Sequence, residues 1–452
     1  MMNKTDIIII GAGPAGYKAA EYAAKNGLTV TLFDYQKLGG TCLNVGCIPT
    51  KALAKNADLM IDIKQAQLYG LTNLQYTIDY QAVVKRKDAV VKSLVEGVEL
   101  LMSNPHIKIV RSKASIVDAF SVEADGVLYS ANNIIIATGA VNKKLPNNIC
   151  KTNDVLDSTD MLNITNLPKS LCIIGAGVIG LEFASIFNAF GVEVSVVEFL
   201  KECLPSIDSD IAKRLRKSLE KRGISFYMQS AVVDINKNIV TFINKKQIQQ
   251  SINAEKVLVA VGRMPNTSGL NLDSVNVDLI HGAIPVSDDS FNVIDNEHNI
   301  IESLYAVGDV NGKQLLAHAA EMQAIHVINQ ILGIKDNIRF DIMPAAIFTN
   351  PEAATVGYSE NLCKEEGIEY SIKKAFWRAN GKALAMNESD GLLKLIVDNN
   401  GLIIGAHAYG AHSADIIQEI SVLMCSNINI GQMRDMTHIH PTFSEIIRMA
   451  IE

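Results

Sequence analysis

The chain has 452 residues, about three domains' worth, and at 48% hydrophobic and 20% charged it has the composition of a globular protein with ample core material. A formal net charge of −7 gives no ground for binding nucleic acid or an anionic membrane surface. Seven cysteines are too few for a disulfide scaffold, and an odd number without a secretory signal points to a reducing, cytoplasmic setting where a disulfide is expected to be catalytic.

The apolar run at 6–10 reads as a fully buried parallel strand, and Gly11 cuts it far short of a membrane span. Gly11-Ala-Gly13-Pro14-Ala15-Gly16 follows at once, then a helical pattern over 17–26, a stop at Gly27 and a second buried strand over 28–33 ending in Asp34. This is strand, G-x-G-x-x-G, helix, strand, acid. Gly11 makes the tight turn, Gly13 lets a pyrophosphate approach the backbone and Gly16 permits close helix packing. The helix N-terminus offers N–H groups and the positive end of a dipole, and Asp34 stands where a ribose hydroxyl is expected. The bland alternative is a Gly-rich turn in some other α/β fold; the strand, helix and acid around the glycines argue against it.

Next comes Gly39-Gly40-Thr41-Cys42-Leu43-Asn44-Val45-Gly46-Cys47-Ile48-Pro49-Thr50-Lys51. Cysteines this close can close a small ring, and a tight ring is expected to be strained or exposed, the labile kind of disulfide. Residues five apart on a regular helix do not face each other, so the backbone between them must be distorted, which Gly46 permits. A structural disulfide, or two buried thiols, remains the alternative on these residues alone. A long helical segment is expected over 51–103.

The first module then recurs. A buried strand at 170–174 runs into Gly175-Ala-Gly177-Val178-Ile179-Gly180, a helix follows over 181–190, and a strand over 192–197 ends in Glu198. Two such modules suggest two dinucleotides. A carboxylate at 198 accepts from a 2′-hydroxyl but repels a 2′-phosphate, and Phe199 and Leu200 supply no cation, with Lys201 the only one nearby. NAD(H) is therefore favoured over NADP(H).

Two dinucleotide modules with a Cys-x4-Cys loop resemble the pyridine nucleotide–disulfide oxidoreductases. Further segments agree along essentially the whole chain: 133–139 ending Thr138-Gly139, 257–266 with Gly262, 304–309 ending Gly308-Asp309, Leu315-Leu316-Ala317-His318, 344–352, and His438-Ile-His440-Pro441-Thr442-Phe-Ser444-Glu445. Within the family the chain is most similar to the branch that oxidises dihydrolipoamide with NAD+, on Leu-Asn-Val-Gly between the cysteines, 316–318, and Ala379-Asn-Gly-Lys-Ala-Leu-Ala385. Glutathione-type members normally use NADPH with basic residues near 198. Mercuric reductases carry a C-terminal cysteine pair, whereas the last cysteine here is Cys425, alone. Asp34 departs slightly, Glu being commoner there.

The resemblance implies an α/β fold: two Rossmann-like dinucleotide-binding domains, for FAD and NAD, plus a C-terminal α+β interface (dimerisation) domain. The expected divisions are 1–141 (FAD, first part), 142–266 (NAD), 267–338 (FAD, second part) and 339–452 (interface, with strands near 392–397 and 403–407). It places FAD, tightly bound, on Gly11, Gly13, Pro14, Ala15, Gly16, Asp34, Gly40, Thr41, Lys51, Ala114, Thr138, Gly139, Ala140, Asp309, Leu315, Leu316, Ala317 and His318. It places NAD+/NADH on Gly175, Gly177, Val178, Ile179, Gly180, Glu182, Glu198, Val232 and Gly262. No metal is expected.

By the same resemblance Cys47 is the flavin-side thiol and Cys42 the interchange thiol. Attack on Cys42 needs a thiolate, hence a base; His440, of a residue type that titrates near neutral, is the candidate, with Glu445 orienting it. Thr442-Phe-Ser-Glu445 is also a capping box, Thr at the N-cap and Glu at N3, and one carboxylate is expected to serve both tasks only in part. Lys51 and Glu182 are expected to pair near flavin and nicotinamide, a cation there stabilising reduced flavin. His438 and the cysteines at 150, 172, 203, 363 and 425 have no assigned task. His440 lies in a different domain from Cys42, and in the family it reaches the other subunit's disulfide, which implies an obligate homodimer.

The expected partners are lipoyl domains and the core of 2-oxo-acid dehydrogenase complexes, or the glycine-cleavage lipoyl protein, with no nucleic acid and no membrane. The alternatives are a related reductase acting on another disulfide, such as a glutathione-type enzyme, and a largely docking component of a multienzyme complex; the latter is disfavoured because both cysteines and His440 are present.

Overall fold

The computed structural model describes residues 3–150 and 154–452. The chain forms two compact units. One takes in residues 3–52, 82–143 and 262–338; the other 53–81, 144–261 and 339–452. The helix that starts at the disulfide loop, Cys47–Gln65, thus begins in the first unit and continues in the second. The expected long helix over 51–103 is broken. A 3-10 turn at Ala66–Tyr69 ends with Gly70 in the left-handed region, and a new helix starts at Tyr80 and runs to Leu101. The sequence between has leucines at helical spacing, Leu68, Leu71 and Leu74, but all three are exposed, and Gly70 and Asn73 stand at positive φ, so no buried face holds a helix there.

The first unit is built on an eight-stranded sheet. Its main path runs Asn292–Ile294, Ile300–Ala306, Val127–Ile136, Asn3–Ile10, Val30–Phe33, Ile107–Val110. Ile7, Ile8 and Ile9 are fully buried, as a parallel strand covered on both faces requires. The helix Pro14–Lys25 is the crossover to Val30–Phe33, and Pro at its first position costs no hydrogen bond.

The second unit contains a four-stranded parallel sheet in the order Ser225–Tyr227, Glu193–Val197, Ser170–Ile174, Lys256–Val259. The two sheets share an arrangement: the strand leading into the glycines lies between the acid-ending strand and a later one, which is where open α/β sheets bind ligands. Helix Val178–Ala189 is the crossover. The unit also holds a small antiparallel sheet, Ser230–Asn236, Ile239–Asn244 and Gln249–Asn253.

Residues after 339 form a five-stranded antiparallel sheet in the order Ala345–Ile347, Ala353–Gly357, Ile403–Tyr409, Leu392–Val397, Ser371–Phe376. Helices Ser413–Cys425 and Glu445–Ile451 pack on it through Ile416, Ile417, Ile420, Ile446 and Ile447, all buried. Among the described residues no helix is long and apolar enough to cross a membrane.

Candidate active site

Strand register sets both glycine turns. Ile10 lies opposite Phe33, and Ile174 opposite Val197, so the next residues in each pair meet at the sheet's end. The N–H of Gly11 donates to Phe33 O at 2.8 Å, and that of Gly175 to Val197 O at 2.9 Å. One residue on, Asp34 Oδ2 accepts from Ala12 N at 2.6 Å, and Glu198 Oε2 from Ala176 N at 2.6 Å. Their second oxygens accept from Gln36 N at 2.6 Å and Leu200 N at 2.7 Å. Each carboxylate therefore pins its own glycine turn. Asp34 does this as Glu198 does, despite its shorter side chain.

The glycines fit a nucleotide by what surrounds them. Gly11 and Gly175 have φ of +105° and +106°, a region that other residues rarely adopt. A Cβ on Gly16 would stand 1.7 Å from Gly11 O, and one on Gly180 2.1 Å from Gly175 O, so helix packing excludes any side chain. The middle glycines differ. A Cβ on Gly13 would meet nothing nearer than 3.9 Å, and one on Gly177 nothing within 4 Å. Protein packing alone does not demand glycine there, whereas close approach of a pyrophosphate does. Both turns thus fit a dinucleotide.

The disulfide loop is seated on the first turn. Gly39 N donates to Ala12 O at 2.9 Å, and a Cβ on Gly40 would stand 2.5 Å from Gly13 Cα. Helix Gly40–Val45 stops at Gly46, and helix Cys47–Gln65 begins at once. A side chain at 46 would meet Thr41 O at 2.8 Å, so glycine is what lets the chain fold back. The break brings Cys42 and Cys47 to a Cα separation of 4.7 Å, within disulfide range, and the two are bonded. Lys51 lies one helical turn after Cys47, on the same helix face.

Arg263 is a residue whose task sequence reasoning missed. It donates to Asn142 Oδ1 at 3.0 Å, to Thr41 Oγ1 at 3.4 Å and to Ala140 O. Its Nε lies 3.9 Å from Asp309 Oδ2. One guanidinium so ties together the Thr41, Ala140 and Asp309 segments. Burial raises the Asp309 carboxyl above its ordinary range, and Arg263 opposes that rise. Gly308 N and Asn311 Nδ2 both donate to the buried Gln323 Oε1, at 2.8 and 3.0 Å, which fixes the turn that carries Asp309. Thr138 Oγ1 donates to Asn266 O at 2.7 Å. Ala114 and Ala140 are buried, Leu315 is exposed, and Ala317 and His318 open the helix Ala317–Ile331.

In the second unit Glu182 is buried in helix Val178–Ala189 and accepts from Phe348 N at 2.9 Å. Val232 lies in strand Ser230–Asn236, and Phe199 and Leu200 beside Glu198 are exposed.

His440 Nδ1 lies 2.9 Å from Glu445 Oε1, and the His440–Pro441 peptide is cis. Glu445 Oε2 accepts from Thr442 N at 3.0 Å. Different oxygens serve the two donors, so a single carboxylate performs both tasks at once, and the expected compromise between them does not arise. The capping box is only half made. Thr442 Oγ1 donates to Ile439 O at 2.7 Å and is not the acceptor for a helix N–H, the helix starting at Glu445. The Thr442 N–H, then His440, hold the Glu445 carboxyl below its usual range. The helix N-terminus favours the same charge. His440 is exposed in the single chain, its side chain at 78%. His438 is nearly buried, with Nε2 3.6 Å from Glu419 Oε1.

Burial raises the thiol of Cys172 to about 12, and raises those of Cys203 and Cys363, which makes them poor nucleophiles at neutral pH. Cys425 is exposed.

Comparison with known proteins accounts for both parts of the chain. Residues 5–324 match the pyridine nucleotide-disulphide oxidoreductase family model, and 343–451 match that family's dimerisation domain. A dihydrolipoyl dehydrogenase of Chlamydia muridarum is 36% identical over 98% of this chain and 95% of its own length. A leghemoglobin reductase of Glycine max is 33% identical, over 99% of this chain and 87% of its own. Among solved structures, an HOCl-induced flavoprotein disulfide reductase from Escherichia coli superposes with a TM-score of 0.85 at 28% identity, covering 99% of each chain.

Proposed function

The chain belongs to the pyridine nucleotide-disulphide oxidoreductases, and from that premise we propose that it is a dihydrolipoyl dehydrogenase, oxidising protein-bound dihydrolipoamide to lipoamide with NAD+ as acceptor. Family membership brings with it the use of FAD and NAD(H), and the C-terminal domain is the family's dimerisation domain. The observation that carries the reading is the Cys42–Cys47 disulfide lying on a glycine turn whose middle residue is left open. Full-length similarity to several dihydrolipoyl dehydrogenases supports the substrate.

FAD is assigned to the turn 11–16 with Asp34, Gly40, Thr41, Lys51, Ala114, 138–140, Asp309 and 315–318. NAD is assigned to the turn 175–180 with Glu182, Glu198, Val232 and Gly262. When bound, the two nucleotides supply a route for an electron pair from the enzyme dithiol to the nicotinamide.

The chain's own residues do the sulfur chemistry. His440 takes a proton from one dihydrolipoamide thiol, since only the thiolate is nucleophilic. That thiolate attacks Cys42 Sγ; the new S–S bond forms as the Cys42–Cys47 bond breaks, and Cys47 leaves as thiolate. His440, having passed that proton to solvent, takes the proton of the second substrate thiol, and the resulting thiolate attacks the substrate sulfur of the mixed disulfide. The lipoyl ring closes, Cys42 is released, and the substrate's two electrons now reside in the enzyme dithiol. Glu445 holds the imidazolium that forms and fixes which ring nitrogen faces the sulfur. In this reading Lys51 would lend positive charge at the flavin site and Glu182 would belong to the nicotinamide site. His440 serves the disulfide of the other protomer, so the active unit is a two-fold homodimer with two composite sites.

Two measurements test this. Purified protein titrated anaerobically with NADH should develop a long-wavelength thiolate–flavin band at two-electron reduction. Lipoamide should be turned over far faster than glutathione disulfide, and with NADH in preference to NADPH. Faster turnover of glutathione disulfide would transfer the chain to another branch of the family.

A further inference from the structure

The loop that carries His440 is anchored at a point no sequence motif assigns to catalysis. Asn380 is buried, 2% exposed, at the start of the short helix Gly381–Ala385. Its two carboxamide ends do different work. Oδ1 accepts from Ala383 N at 3.0 Å and caps that helix. Nδ2 donates to Thr442 O at 2.9 Å.

Thr442 links onward. Its N–H donates to Glu445 Oε2 at 3.0 Å, and Glu445 Oε1 lies 2.9 Å from His440 Nδ1. A continuous chain of hydrogen bonds thus runs from a buried amide to the exposed imidazole. Ile439, His440 and Pro441 are exposed and the loop is no regular element, so its nearest anchor on the N-terminal side is His438, whose Nε2 lies 3.6 Å from Glu419 Oε1. Phe443, the next residue inward, is buried with its ring centroid 4.7 Å from that of His412. The loop is therefore held before His440 by the His438 contact, and after it by the packing of Phe443 and by one directed hydrogen bond at Thr442.

We propose that Asn380 is a positioning residue for the His440–Glu445 dyad, setting the place and orientation of the catalytic imidazole through Thr442 without touching substrate. The inference rests on the reading of His440 as the base. Asn is suited to the task because it accepts and donates from one planar group, so a single buried side chain joins the cap of one helix to the catalytic loop. A buried carboxamide held at both ends also has little freedom to drift.

Asn380→Ser keeps a capping oxygen for Ala383 but is too short to reach Thr442. Asn380→Asp keeps the shape and the cap and, once ionised, offers Thr442 no donor. Asn380→Ala loses both functions. The dimer, loaded with FAD, is assayed for lipoamide turnover across pH and for NADH oxidation by a dye that bypasses the thiols, and its melting temperature is recorded. Misplacing a catalytic group by about 1 Å costs around 10²-fold. The Ser and Asp variants are expected to lose about that much of lipoamide kcat, with dye reduction and melting temperature held, and with the acid limb of the kcat/KM profile moved as Glu445 loosens from the ring. The Ala variant should lose the same turnover and also melt lower.

Ser and Asp variants with lipoamide kcat and pH profile like the parent would overturn the inference. His440→Gln is run beside them. If it turns lipoamide over like the parent, the reading of His440 as base fails, whatever the Asn380 variants do. If it is inactive while the Asn380 variants are normal, only the positioning role fails.

Discussion

Glu198 Oε2 accepts the Ala176 N–H at 2.6 Å, while its other oxygen accepts the Leu200 N–H at 2.7 Å. The carboxylate is thus fixed by two backbone donors. Its charge is what sets a 2′-hydroxyl apart from a 2′-phosphate. Glu198→Gln should leave one amide N–H facing a backbone donor and remove the repulsion of phosphate. A hydrogen bond to a charged group contributes about 1.5–3 kcal/mol, so KM for NADH should rise about tenfold or more. The NADPH to NADH ratio of kcat/KM should rise with it. Steady-state assays with both nucleotides check this, and an unchanged ratio would remove Glu198 as the discriminator.

Cys42 and Cys47 stand on either side of a helix break, in a loop seated on the first glycine turn. Cys42→Ser should abolish lipoamide turnover, because the lone Cys47 thiol that remains offers no S–S bond for the substrate thiolate to open. Anaerobic reductive titration should then show two electrons taken up per FAD, where the parent takes four. Uptake of four by the variant would mean that another cysteine pair is redox-active, against the raised thiols of Cys172, Cys203 and Cys363.

The nucleotide turns were legible because all their determinants lie within about twenty residues: a buried strand, three glycines, a helix and an acid. The register that sets Asp34 beside Ala12 follows from that short crossover. What the sequence hid is long-range. Arg263 joins segments around 41, 140 and 309, and Asn380 reaches Thr442, with no periodic or spacing signal at either end. Thr442 showed the limit of a local motif. It matches a capping box by spacing, yet its hydroxyl turns to Ile439 because the preceding loop offers a carbonyl. The break between Gln65 and Tyr80 is masked in the sequence because Leu68, Leu71 and Leu74 keep a helical spacing, although the structure leaves them exposed and turns the chain at Gly70 and Asn73.

Lys394 is buried in the middle of a strand, at 1% side-chain exposure, with its ammonium 2.8 Å from the buried Asp208 and 2.6 Å from Glu360. The partners Lys394 and Asp208 are 186 residues apart, and nothing local in either segment announces the pair. Removing one partner strands a charge in the interior, which costs about 3–5 kcal/mol. Lys394→Met should therefore lower the urea midpoint markedly. Lys394→Met combined with Asp208→Leu should recover much of that loss, since apolar replacement of a buried pair is often near neutral. Equal additive losses in the double variant would show that the two residues do not act as a pair.

Glu360 gives that cluster a pH dependence of definite sign. The hydrogen bond from Lys394, foremost, holds its carboxyl at about 2, against an ordinary value of 4.5. A group whose folded value is depressed stabilises the fold fully above its unfolded value, and the contribution disappears as pH falls through the folded one. The window here runs from about 4.5 down to about 2. Glu360→Gln has no carboxyl to titrate, so its deficit in urea midpoint against the parent should be constant above pH 5 and should narrow on acidification below 4.5. Paired urea titrations at stepped pH values check this. A deficit that stays constant through the window would mean that the Lys394 contact does not depress this carboxyl.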